Sequence, residues 1–124
     1  MNVHDRLHFY HRAWRYRTRS DKFGISFLLG RDLAGKTAID IGANNGIYSY
    51  WMHKRVGVRG HVVAFEPQPE LNQGLQRLKQ GFDLDSLEVA GVGLSSSKQT
   101  LELVRRPNSW GTASFETPAD EQCE

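Results

Sequence analysis

The stretch from Ala38 to Gly46, Ala-Ile-Asp-Ile-Gly-Ala-Asn-Asn-Gly, constrains this chain more than any other. It reads as a buried strand from Thr37 to Ile41, a glycine-containing turn, and a helix that starts near Asn45 or Gly46. Without side chains at Gly42 and Gly46, the backbone can bend sharply and approach a bound molecule, while free N–H groups at the helix start favour an anionic group. Asp40 falls at the carboxyl end of the strand, where open α/β sheets bind their ligands. A glycine pair that only rounds a corner would give the same pattern, so the turn needs a second signal.

That signal is another apolar run, His61 to Phe65, which ends in Glu66-Pro67, twenty positions beyond Gly46. An acid at the end of the second strand of a nucleoside-binding α/β fold accepts the hydroxyls of a ribose. The glycines bear on which nucleoside. A dinucleotide pattern needs G-x-G-x-x-G, but here Ala43, Asn44 and Asn45 separate Gly42 from Gly46 and the central glycine is missing. This disfavours NAD. The wider, partly polar loop suits a ligand without phosphates, such as S-adenosylmethionine.

Ala-Ile-Asp-Ile-Gly-Ala-Asn-Asn-Gly followed by Gly-His-Val-Val-Ala-Phe-Glu-Pro-Gln-Pro resembles the FkbM-type S-adenosylmethionine-dependent methyltransferases, and the likeness runs from about Gly35 to Phe115. The resemblance implies a Rossmann-like class I methyltransferase fold of the α/β class. It also implies methyl transfer from S-adenosylmethionine to a hydroxyl of a small molecule, glycan or lipid. In that reading Gly42, Ala43, Asn44, Asn45 and Gly46 hold the methionine portion, and Glu66 with Pro67 holds the ribose. Asp40 orients the loop or meets the ligand's ammonium, and Gly91, Val92 and Gly93 border the adenine. The family continues into a fourth strand with a K-I-D-x-E-G-like motif that nothing in Phe115 to Glu124 matches. The expectation is therefore a fold truncated after its third parallel strand and a following hairpin. The edge of the first strand would be unpaired and open to self-association. No catalytic base can be named, and its expected source is the missing part.

The rest of the chain is read around this centre. Met1 to about residue 34 forms a leader in which Arg12, Arg15, Arg17, Arg19 and Lys22 alternate with Phe9, Tyr10, Trp14 and Tyr16. Such a mixture can grip RNA or an acidic partner, which would make the chain a non-catalytic module. A formal net charge of only +2 favours instead an amphipathic helix with its aromatics on the domain and its arginines in water. His4, His8 and His11 stand at helical spacing, but no cysteine or carboxylate cluster completes a metal site. Phe23 to Leu29 reads as a short helix ending at Gly30.

Ile47, Tyr48, Trp51 and Met52 make a helical stripe, with Trp51 expected against the sheet, Tyr48 near the ligand and no role for His53. Pro69 opens a second helix through Leu71, Leu75 and Leu78 to Gly81, and Gly74 inside it hints at close packing. Ser86 to Val92 reads as a third strand, so parallel β-α-β units follow one another. Residues 35–115 form this Rossmann-like half. It includes a hairpin of Lys98–Val104 and Trp110–Phe115, and 116–124 is an acidic tail expected to be disordered. No apolar run approaches the ~20 residues of a membrane span. The single Cys123 cannot form an internal disulfide, and a cytoplasmic location is expected.

Overall fold

Helix formation begins at Asn2, whose side-chain oxygen accepts the Asp5 N–H at 2.8 Å and satisfies one orphan donor of α1 (Val3–Arg15). Asp5 lies in the first turn and Arg12 and Arg15 in the last, the polarity that the helix dipole favours. In this computed structural model, which describes residues 1–105, 107 and 113–116, the leader is not one continuous helix. A π-helical turn, Tyr16–Ser20, interrupts it, with the Thr18 hydroxyl donating back to the Trp14 carbonyl at 2.8 Å. The chain then enters α2 (Lys22–Leu29).

The sequence that follows gives β1 (Thr37–Ile41), α3 (Ile47–Val56), β2 (His61–Phe65), α4 (Pro69–Gly81) and β3 (Leu87–Ala90). The three strands are parallel in the order β1-β2-β3, with Ala38 opposite Val62, Asp40 opposite Ala64 and Val62 opposite Leu87. The third strand is shorter at both ends than the expected Ser86–Val92. Right-handed crossovers that advance in one direction put both helices on one face. Period-two alternation turns Asp40, Val62, Ala64 and Leu87 toward them, and all four are buried. On the opposite face Ile39 is 56% and Ile41 67% exposed, and among the described residues β1 pairs only with β2.

The leader forms a further layer outside α3. Trp51 is buried, but its indole N–H donates to the Ala13 carbonyl at 3.2 Å and its ring meets Trp14 and Tyr50 edge-on. It therefore packs against the leader and not, as expected, against the sheet. Phe9 joins Tyr50 and Phe82 in the same aromatic cluster, and Ala13 and Ile25 are fully buried. Because the leader shares this core, the first compact unit runs from Met1 to Gly93 and not from residue 35.

The second unit, from Leu94, contains β4 (Glu102–Val104) paired antiparallel with β5 (Ser114–Glu116), Leu103 opposite Phe115. The hairpin is thus shorter than expected, and Glu116 ends a strand where the tail was expected to begin. Trp110 and residues 117–124 lie outside the described residues.

Two glycines separate cleanly in their roles. A Cβ at Gly46 would stand 2.5 Å from Leu78 and 2.8 Å from Leu75, so the missing side chain lets α3 start directly against α4. Gly74 has open space beside it, which removes the close packing expected there. Gly46→Ala adds overpacking of two buried leucines to the strain of a φ of 83°, and is expected to cost about 2–4 kcal/mol. Gly42→Ala, strained at φ 74° but unobstructed, is expected to cost about 1 kcal/mol. Urea unfolding of the two variants checks this, and equal losses would refute the packing role of Gly46.

Candidate functional site

The carboxyl ends of β1 and β2 are joined by the turn that leaves β1. Gly42 and Ala43 both donate their N–H groups to the Phe65 carbonyl, at 2.9 and 3.0 Å. The next amide, Asn44, donates to Glu66 Oε2 at 2.8 Å across a separation of 22 residues. Glu66 Oε1 accepts the Gln68 N–H at 2.9 Å, and the Glu66 amide donates to the Ala90 carbonyl at 3.0 Å. The two sequence motifs therefore meet in one place, with the end of β3 beside them.

Asn44 has φ 51°, between Gly42 at 74° and Gly46 at 83°. It stands where a dinucleotide pattern would place its central glycine, and asparagine is among the few side-chain-bearing residues that adopt this conformation readily. The missing glycine therefore does not remove the left-handed backbone at that position. It does put a polar side chain there.

Most of the amides expected to be free for an anion bond to the protein itself. Besides the three amides already placed, Gly46 donates to the Ala43 carbonyl at 2.9 Å, Ile47 to Asn45 Oδ1 at 3.4 Å, and the Ser49 amide to Asp40. A turn with most of its amides so engaged has few left to cradle a pyrophosphate. Open space remains on one side, since a Cβ at Gly42 would meet nothing within 4 Å.

Asp40 is buried and points to the helix-covered face, where its Oδ2 accepts the Ser49 hydroxyl at 2.6 Å. It thereby ties the end of β1 to the first turn of α3, the orienting half of the role expected for it. Burial pushes its carboxyl above the ordinary 3.8, the Ser49 hydrogen bonds pull it down, and the nearby Glu66 charge adds to the rise. Pro67 follows Glu66 directly and leads through Gln68 into α4. Gly91 lies against the Asn72 side chain, whose amide nitrogen approaches the Glu66 carbonyl at 3.4 Å. Val92 and Gly93 are exposed, past the end of β3.

Tyr48, expected near a ligand, is engaged by the leader. Its hydroxyl donates to Asp21, and Gly24 leaves room for that contact, since a Cβ there would sit 2.2 Å from the hydroxyl. Burial and the Asp21 carboxylate push its pKa up to about 12. Ser49, Gln68, Asn72 and Asp21 were all missed in the sequence. Ser49 carried one usable signal, its place in the first turn of the helix that follows the strand ending near Asp40. Asp21 carried none, because its partner comes from a distant segment. Among the described residues no group of histidine, cysteine or carboxylate side chains could hold a metal ion.

A parallel sheet with a glycine turn and an acid meeting at its carboxyl edge belongs to the nucleoside-binding class of α/β folds. The family model of the methyltransferase FkbM domain matches residues 40–122, and the chain belongs to that family. Among solved structures, a proposed rRNA methylase from Clostridium thermocellum aligns with TM-score 0.54 and 20% identity over 56% of this chain and 38% of that one. A SAM-dependent methyltransferase from Aquifex aeolicus aligns with TM-score 0.53 and 23% identity, over 70% of this chain and 44% of that one. These likenesses show a Rossmann-like α/β fold, and the chain spans less than half the length of each. No curated protein sequence matches the chain.

Because burial raises Asp40, the folded chain holds this proton more tightly than the unfolded one. Its contribution to stability is fully present below the unfolded value of 3.8 and is lost as pH rises through the raised folded value. Asp40→Asn keeps an oxygen for Ser49 but no charge, and is expected to flatten the stability profile in that window. Urea melts of both proteins between about pH 3.5 and 7 check this, and parallel profiles would speak against it.

Proposed function

We propose that the region between the 42–46 turn and Glu66 binds S-adenosylmethionine, and that the protein transfers its methyl group to a hydroxyl. The observation that supports this reading is the 2.8 Å bond from the Asn44 amide to Glu66, which brings turn and acid together. An ionised carboxylate has about four acceptor sites. The Asn44 and Gln68 amides take one site on each oxygen, which leaves capacity for the two hydroxyls of a ribose. Glu66 is only 3% exposed, so a diol reaches it by moving aside what covers it.

In this reading Gly42 to Gly46 border the methionine portion, with Pro67 beside the ribose and Gly91 to Gly93 beside the adenine. The side chain of Asp40 is held by Ser49, so it acts by fixing the turn. S-adenosylmethionine supplies an electrophilic methyl on sulfur. The methyl–sulfur bond breaks as the methyl–oxygen bond forms, and the hydroxyl proton leaves to a base. The protein's part is chiefly to hold donor and acceptor in line. A small-molecule, glycan or lipid hydroxyl is the acceptor that the resemblance implies, and the single cysteine fits a reducing, cytoplasmic setting. Among the described residues β1 pairs only with β2, and its open backbone edge supports pairing with a further strand or a second copy.

Calorimetry with S-adenosylhomocysteine tests the reading. Glu66→Gln keeps the shape but loses the charge that strengthens two ribose hydrogen bonds, and is expected to weaken binding about 10- to 100-fold. Wild-type affinity in a variant with native circular dichroism would remove Glu66 from the site. Preference of the wild type for NADH would replace the methyl donor by a dinucleotide.

A further inference from the structure

Helix α1 is apolar on two sides: one lies in the core, and the other is mostly exposed, with Trp14 at its end set edge-on against Trp51. Phe9 and Ala13 point inward to the core, while Val3, Leu7, Tyr10 and Trp14 run along the outside. Val3 is 71% and Leu7 64% exposed. Their spacing of four, three and four residues is that of a knobs-into-holes seam, the pattern by which one helix receives another. A helix with a second apolar face is usually covered on that face too.

The seam borders a groove of about 370 Å³ between α1 and the ends of α3 and α4, floored by Tyr50 and Phe82. Two cations stand over this floor. The Arg6 guanidinium lies 5.6 Å from the centre of the Phe82 ring, and Lys54 Nζ lies 5.4 Å from that of Tyr50. Neither forms an ion pair among the described residues. The only carboxylate on α1 is Asp5, which lies in its first turn.

We propose that this groove is a docking site for an amphipathic helix with an apolar seam flanked by acidic residues. Its leucine-sized side chains would interlock with Val3, Leu7, Tyr10 and Trp14, and its carboxylates would meet Arg6 and Lys54. The charge decides against a second copy of α1. Pairing two such faces would set Arg6 and Lys54 of one chain against those of the other, with no acid on either face to offset them. A seam of helical period also fits a helix better than an extended strand, which would present its side chains every second residue.

The test uses two fluorescent helical peptides with the same leucine seam, one flanked by glutamates and one by lysines. Anisotropy titrations of the whole chain are expected to show the acidic peptide binding at least about tenfold more tightly. Leu7→Asp, at an exposed position, is expected to abolish that binding while circular dichroism stays native. Arg6→Glu combined with Lys54→Glu is expected to reverse the preference toward the lysine peptide. Equal binding of both peptides, or a preference unchanged by the charge reversal, overturns the proposal. A wild-type dimer in sedimentation that Leu7→Asp dissociates also overturns it, in favour of a second copy.

Discussion

The hydrogen bond from the Asn44 amide to the Glu66 carboxylate holds the carboxyl edge of the sheet together. Two neighbouring amides bond to the Phe65 carbonyl, so the turn that leaves β1 is fastened to the residues that end β2. Parallel pairing already sets Ile41 beside Phe65, and these bonds then fix how the two loops that follow the strands meet. A charged acceptor gives a shorter and stronger bond than a carbonyl, which explains why an acid at this position can set the conformation of a turn far away in sequence. The same bond places the acid under the turn, where a bound nucleoside would find both.

A second carboxylate lies close by, and the fold keeps the two apart in function. Asp40 turns to the helix-covered face and is satisfied by Ser49, while Glu66 turns to the glycine turn. Burial and the neighbouring Glu66 both raise the Asp40 carboxyl, and the Ser49 hydrogen bonds offset part of that cost. One acid therefore stiffens the start of α3 and the other fixes the turn through the Asn44 amide. The difference follows from the alternation of side chains along a strand, which sends Asp40 to a fixed face, and from the freedom of Glu66 just past the strand end.

The leader adds a third layer that ties the site to the outer surface. Tyr48, two residues beyond Gly46, reaches Asp21 across the contact that Gly24 makes possible. Three edge-on ring contacts, Trp14 to Trp51, Trp51 to Tyr50 and Tyr50 to Phe82, then join α1 to α3 and to the residue that caps α4. Arg17 lies over the rings of both Trp14 and Trp51, at 4.7 and 4.9 Å from their centres. A cation stacked in this way holds the wide turn at Tyr16–Ser20 against the domain.

Much of this was legible from local chemistry alone. The extents of β1 and β2 and of α4, and the helix after the glycine turn, follow from apolar runs and from the glycine and proline that bound them. These are properties of neighbouring residues and need no partner. The pairing of turn and acid was legible as a spacing, because a β-α-β unit has nearly fixed dimensions. Tertiary structure alone decided the rest. It placed Trp51 on the leader and not on the sheet, because a helix between two layers has two apolar sides and its periodicity does not say which side meets which layer. It gave Gly46 to packing against Leu75 and Leu78 and left Gly74 in the open, because a glycine's neighbours in space are not its neighbours in sequence. It engaged the amides of Gly42, Ala43 and Asn44 with Phe65 and Glu66, since hydrogen-bond partners across a fold exist only once the strands are side by side.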